Sequence, residues 1–100
     1  MSKTILPEEI YANAILEFGV EPQKDMMIEE CSELINALEK HRRGRNTYAD
    51  VITEIADVMI MAEQMAFLFG PEEVMAEKQR KLERLLDRII KHKKAKKSNG

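Results

Sequence analysis

Two segments, "MMIEECSELINAL" (residues 26–38) and "VITEIADVMIMAEQM" (residues 51–65), combine apolar residues on most sides with carboxylates at helical spacing. The first carries Glu29, Glu30 and Glu33, the second Glu54 and Asp57. A carboxylate taken out of water without a partner costs several kcal/mol or becomes protonated, so acids on a core helix need a cation or basic partners. This requirement restricts the chain more than any other feature. At about 100° per residue, Val51, Ile52, Ile55, Ala56, Val58, Met59, Ile60, Met61, Ala62 and Met65 spread around the whole wheel, and the helix is expected to be buried on most sides. Glu54 and Asp57 then lie roughly 60° apart on one face. On the preceding helix Glu33 falls between Glu29 and Glu30 in angle, with Cys31, Leu34, Ile35 and Leu38 opposite, giving an acidic face and an apolar back.

Two acid-x-x-acid pairs on neighbouring helices therefore read as a metal site, and Glu30, Glu33, Glu54 and Asp57 are its candidate ligands. All-oxygen ligands suit hard cations. Mg²⁺ takes few protein carboxylates and completes its octahedron with water and substrate phosphate, so Mg²⁺ or Mn²⁺ is the expected ion. The competing reading is a buried network in which the same acids pair with Lys or Arg, as in a non-enzymatic, partner-binding or regulatory helical module.

The rest of the chain reads as all-α, with four helices. Pro7 followed by Glu8 and Glu9 opens the first, which Gly19 ends. The second is predicted from about Gln23 to His41 or Arg42 and broken at Gly44. Asn46 or Thr47 caps the third, with Asp50 completing a capping-box pattern. That helix stops at Gly70, and Pro71, Glu72 and Glu73 open a fourth that is predicted to reach about Ile90. Short connections imply antiparallel neighbours in a four-helix bundle. No alternating strand pattern appears.

One hundred residues make one small domain, taken as residues 1–90, with limited capacity to bury a core alone. Association into a dimer or tetramer is expected, because the third helix lacks a broad polar face. Charged residues are 34% and aromatics 5%, which suits packed helices with charged outer faces. Neither an export signal nor a membrane span is recognisable, and a cytoplasmic protein is expected. Cys31 reads as a small core residue.

Residues 91–100 form a basic tail, expected to be disordered at its end. It holds five lysines and no acid, leaving 11 of the 16 basic residues to face all 18 acidic ones. Nucleic-acid contact is a weaker reading of this tail than a solvated helix end whose cations complement the dipole. Within the fourth helix Lys78 falls inside the stripe formed by Val74, Leu82, Leu85 and Ile89. Such a lysine either snorkels to the helix edge or reaches toward the acidic helices or a bound phosphate. Lys81 flanks the same stripe and is the second phosphate-binding candidate, ahead of Arg88.

The Glu-Glu-x-x-Glu of "IEECSELI", followed after 20 intervening residues by the Glu-x-x-Asp of "TEIADV", resembles the double signature of the MazG-like, all-alpha nucleoside triphosphate pyrophosphohydrolases. The resemblance runs upstream through "EFGVEPQKDMMIEE" and downstream through "KLERLLDRI", covering about residues 15–90. It implies a helical, oligomeric enzyme that uses Mg²⁺ to cleave a nucleoside or deoxynucleoside triphosphate to the monophosphate and pyrophosphate. By that similarity Glu30, Glu33, Glu54 and Asp57 correspond to the metal ligands. Glu29 matches the extra leading acid, placed to orient or deprotonate the attacking water. Phe18 stands where such proteins often carry Trp.

Overall fold

The computed structural model describes residues 6–99, and Met1 to Ile5 and Gly100 lie outside them. Four helices account for nearly all of this length: α1 (Pro7–Phe18), α2 (Val20–Arg42), α3 (Tyr48–Phe69) and α4 (Pro71–Asn99). Among the described residues there is no strand, so the chain is all-helical. It divides into two compact units, one ending at Leu68 and one beginning at Phe69.

In the first unit each helix boundary has a local chemical cause. Pro7 occupies the first turn of α1 with Glu8 and Glu9, where a missing N–H is harmless and acids complement the dipole. Gly19 ends α1 at φ 97°, a conformation that L side chains rarely adopt, while its N–H donates to the Ile15 carbonyl at 2.8 Å. The turn takes a single residue, so α2 starts at Val20 rather than near Gln23. Pro22 then sits inside the first turn, where its lack of a donor is tolerated.

The α2–α3 connection is tied at three points. Gly44 adopts a left-handed φ of 70°, and the Gly44 and Arg45 N–H groups donate back to the carbonyls of His41 and Lys40, both at 2.9 Å. These bonds satisfy carbonyls that the helix end leaves open. The Asn46 side-chain amide donates to the Ala37 carbonyl at 3.0 Å. Thr47 and Asp50 complete a reciprocal cap, as the spacing predicts. The Thr47 N–H donates to the Asp50 carboxylate at 3.0 Å, and the Asp50 N–H donates to the Thr47 hydroxyl at 3.3 Å. The Thr47 backbone and side-chain hydrogen bonds hold the Asp50 carboxyl below its usual range.

The core of this unit is thin: Tyr11, Ala37, Val51 and Met61 are its buried hydrophobic residues, and no large side chain is completely enclosed. Polar contacts link its helices. The Tyr11 hydroxyl donates to Glu63 at 2.5 Å, joining α1 to α3. That bond, then burial and the Glu63 charge, push the tyrosine pKa up to about 12. The buried Gln64 amide donates to Gln23, joining α3 to α2.

The expectation that α3 is buried on most sides is not met within this unit. Ile52, Met59 and Ile60 are more than half exposed, as is Ile35 on the apolar back of α2. Helices α1 and α2 cover only part of α3 within this unit, which leaves Val51, Met61 and Gln64 as its buried positions. Cys31 is half-buried.

The second unit is essentially α4, and every residue from Pro71 to Ser98 is exposed. Its Pro-plus-acid start is the predicted one, but it continues to Asn99 rather than ending near Ile90. No Gly or Pro interrupts the sequence between Ile90 and Asn99, lysine and alanine favour helix, and cations in the last turn complement the dipole. The disorder expected at the end of the basic tail concerns positions reaching Gly100, outside the described residues. Lys91 pairs with Asp87 one turn earlier at 2.9 Å, and Arg80 pairs with Glu77. Such exposed pairs contribute a few tenths of a kcal/mol each.

Thr47→Ala should destabilise the protein by about 1 kcal/mol at neutral pH through loss of the cap. Because the folded state lowers the Asp50 pKa, the cap's contribution is present above the unfolded value and lost as pH falls through the folded one. Urea unfolding of wild type and variant at neutral and strongly acidic pH checks this: the difference should shrink in acid.

Candidate metal centre

Gln23 and Gln64 set the register between α2 and α3. Seven residues on from Gln23 is Glu30, and seven back from Gln64 is Asp57. Seven residues is close to two helical turns, so both acids return to the faces that the glutamines join. Three residues further on each helix are Glu33 and Glu54. An antiparallel register fixed by the buried amide pair thus sets Glu30 opposite Asp57 and Glu33 opposite Glu54.

The side chains meet accordingly. Glu30, Glu33 and Glu54 each contribute an oxygen, and these atoms lie within 4.8 Å of one another. Asp57 belongs to the same group through its electrostatic effect on both Glu30 and Glu54. Burial, followed by the charges of Glu33, Asp57 and Glu54, raises the Glu30 pKa. Burial, followed by Glu33 and Asp57, raises that of Glu54. Glu30 also comes within hydrogen-bonding range of Asp57, and Glu54 of Glu33. Among the described residues, Oε2 of Glu30 and Oε2 of Glu54 are buried with no hydrogen-bond partner.

Among the described residues, the ion pairs are local ones within a helix or at its end, and none includes Glu30, Glu33, Glu54 or Asp57. A cluster of facing carboxylates with orphaned oxygens is a poor structural core and a suitable oxygen cage for a hard cation. The donor set fits Mg²⁺ or Mn²⁺.

Two concavities flank the cluster along the α2–α3 seam. On the α2 C-terminal side is a polar one of about 390 Å³, lined by Glu33, Asn36, Lys40, Arg45, Thr53 and Glu54 among others. On the other side is a small, mainly apolar cleft of about 160 Å³, where Met26, Ile60 and Met61 adjoin Glu30 and Asp57. The remaining sequence candidates are Glu29, Lys78 and Lys81. Glu29 is exposed and faces a third concavity, of about 400 Å³, with Phe18, Pro22, Gln23 and Met26. Lys78 and Lys81 belong to the second unit, where both are exposed and share a face of α4 with Val74, Leu82 and Leu85. Lys78 thus does lie in the apolar stripe, but that stripe is not covered within its own unit. Sequence reasoning takes residues 41–46 only as a helix break and passes over Lys40 and Arg45. The available signal was that Lys40 follows Glu33 by seven residues on the same face.

No family model, curated protein or solved structure matches this chain. No helix among the described residues is long and apolar enough to cross a membrane.

The repulsion within the cluster has a measurable consequence in metal-free protein. Folded-state pKa values of Glu30 and Glu54 lie above their unfolded values, so their stabilising contribution is complete below the ordinary carboxylate range and lost as pH rises through the raised values. Glu54→Gln should therefore raise the metal-free melting temperature at neutral pH, reduce its fall between mildly acidic and neutral pH, and weaken the rise that Mg²⁺ or Mn²⁺ produces in wild type. Differential scanning fluorimetry with and without metal checks all three. A destabilised variant and an unresponsive wild type would identify the carboxylates as structural.

Proposed function

We propose that this protein is a Mg²⁺-dependent, MazG-like nucleoside triphosphate pyrophosphohydrolase that cleaves a nucleoside or deoxynucleoside triphosphate to the monophosphate and pyrophosphate. The observation that carries the reading is the meeting of Glu30, Glu33 and Glu54, with Asp57 acting on Glu30 and Glu54 electrostatically, and no ion pair to any of the four among the described residues. The alternative of a structural acid–base network calls for a lysine or arginine in that group. A polar concavity beside the acids supplies room for a polyphosphate, and basic residues line it.

In this reading Glu30, Glu33, Glu54 and Asp57 hold the metal. A bound Mg²⁺ or Mn²⁺ supplies positive charge for the phosphate oxygens and eases deprotonation of water. Glu29 is the proposed acceptor of the proton of the attacking water, a role that requires its exposed side chain to turn from the concavity it shares with Phe18 and Pro22 toward the cluster. The water oxygen forms the new bond to the α-phosphorus, the bond from that phosphorus to the α–β bridging oxygen breaks, and pyrophosphate leaves with the bridging oxygen. Lys78 and Lys81 are proposed as further phosphate-binding cations.

A panel of common and modified nucleoside triphosphates with pyrophosphate detection tests activity and substrate preference together. Glu33→Gln, Glu54→Gln and Asp57→Asn should abolish turnover with helicity unchanged. Glu29→Gln should lose roughly 10²–10⁴-fold in rate while keeping Mg²⁺-dependent nucleotide binding, whereas Glu30→Gln should weaken metal binding itself. Equal loss of metal affinity in the last two variants would place Glu29 among the ligands.

The proposal includes self-association. Exposed apolar side chains on α2 and α3, and the uncovered apolar stripe of α4, need a cover that neither unit supplies within itself. Multi-angle light scattering should report a dimer or tetramer at micromolar concentration, and a stable monomer would count against it.

A further inference from the structure

The polar concavity beside the cluster has a direction. Along α2, Glu33, Asn36 and Lys40 follow one another at helical spacing on one face, and on α3 the facing positions are Glu54, Thr53 and Asp50. The groove therefore begins at the carboxylates and ends at the helix connection. Its far end carries two cations, Lys40 and Arg45, and one acid, Asp50, which the Thr47 hydrogen bonds and then the Lys40 charge help to hold ionised. Gly44's left-handed turn brings the Arg45 N–H onto the Lys40 carbonyl at 2.9 Å, so two residues five apart in sequence meet at one end of the groove. Neither Lys40 nor Arg45 forms an ion pair among the described residues.

Lys40 stands seven residues beyond Glu33, roughly 10 Å along the axis at 1.5 Å per residue. Helical side chains lean toward the N-terminus, which for Lys40 is back toward Glu33 and shortens that span. Opposite in direction, past Glu30 and Asp57, Met26, Ile60 and Met61 form the apolar cleft. Acid cluster, cations and apolar cleft thus occupy one line, with the acids in the middle.

We infer that Lys40 and Arg45 form the binding subsite for the terminal two phosphates of a nucleoside triphosphate, so that the substrate lies along the α2–α3 seam with its leaving pyrophosphate toward the helix connection and its nucleoside toward Met26, Ile60 and Met61. This rests on the reading of the site as a pyrophosphohydrolase. The chemistry favours that direction. The pyrophosphate end carries the larger negative charge, and the two cations at the connection meet it with charge-assisted bonds, bidentate in the case of arginine. The nucleoside end is the less charged one and adjoins the less polar cleft. The same two side chains compensate the charge that develops on the leaving group when the bond from the α-phosphorus to the bridging oxygen breaks.

The test is isothermal titration of the full chain with inorganic pyrophosphate in the presence of Mg²⁺, for wild type, Lys40→Gln, Arg45→Gln and the double variant, with Mg²⁺ alone and a nucleoside monophosphate titrated in parallel. Each single substitution should weaken pyrophosphate binding about tenfold and the double one more, with Mg²⁺ and monophosphate affinities within about twofold of wild type. Circular dichroism confirms that the helices persist. Arg45→Gln keeps the test decisive should loss of the Lys40 charge near Asp50 loosen the cap. Pyrophosphate affinity unchanged in the double variant, or monophosphate affinity lost in equal measure, overturns the subsite. Triphosphate turnover measured on the same samples separates the two failures. Turnover with pyrophosphate binding indifferent to Lys40 and Arg45 removes the subsite alone, and a wild type that turns over no nucleoside triphosphate removes the underlying reading and the substrate direction with it.

Discussion

The hydrogen bond between Gln64 and Gln23 is the contact on which the arrangement of the site depends. Both side chains are buried, and a buried amide left unpaired costs about 1–3 kcal/mol, so the pair specifies one alignment of α2 against α3. A slip by one residue would leave two amides unpaired. It would also rotate the acids of one helix by about 100° away from those of the other. Apolar packing alone tolerates more latitude, and here it involves few side chains. The amide pair therefore fixes what the thin core leaves loose.

The helix connection fixes the other end of the same seam. Arg45 and Gly44 close onto the last turn of α2, Asn46 reaches the Ala37 carbonyl, and Thr47 with Asp50 starts α3. Alignment is thus specified at two points on opposite sides of the acidic cluster. Between them the cluster opposes the fold, since like charges face one another and two carboxyl oxygens are buried without donors. Groups that repel in the folded protein persist only where the surrounding structure over-determines their position. A cation bound at the cluster would relieve the same repulsion, and its binding would then be coupled to the stability of the α2–α3 pair.

Features of short sequence range were the legible ones. The acid pairs repeat every three residues, prolines and acids mark two helix starts, and the Thr47–Asp50 cap spans a single turn, so each is written in adjacent letters. The register of α2 on α3 is not, because it depends on one long-range hydrogen bond between residues 41 positions apart. Glu29 shows the same limit. Its wheel angle places it near Glu33, yet Glu29 lines a concavity with Phe18 and Pro22 near the start of α2, since the cluster forms on the side that α3 supplies. Arg45 escapes notice because the sequence "HRRGRN" reads as a helix stop, and Lys40 because it reads as one more cation in the last turn of α2. Only the folded turn shows that the stop also gathers cations. The apolar wheel of α3 suggested burial on most sides, whereas α1 and α2 bury only Val51, Met61 and Gln64 of it within their unit, because which faces are covered depends on long-range packing.

That uncovered surface bears on the electrostatics of the site. Ile60 is half exposed and also lines the small cleft beside Glu30 and Asp57. Any apolar cover over Ile60 would remove water from the edge of the acidic cluster. Lower polarity strengthens the repulsion among the carboxylates when they stand alone and strengthens their attraction for a divalent cation by the same Coulombic factor. Association through α3 would consequently sharpen the cluster's dependence on metal, and metal binding would in turn favour the associated state by linkage. A thin core, an exposed helix face and an acidic group with no ion pair among the described residues are three aspects of one arrangement of α1, α2 and α3.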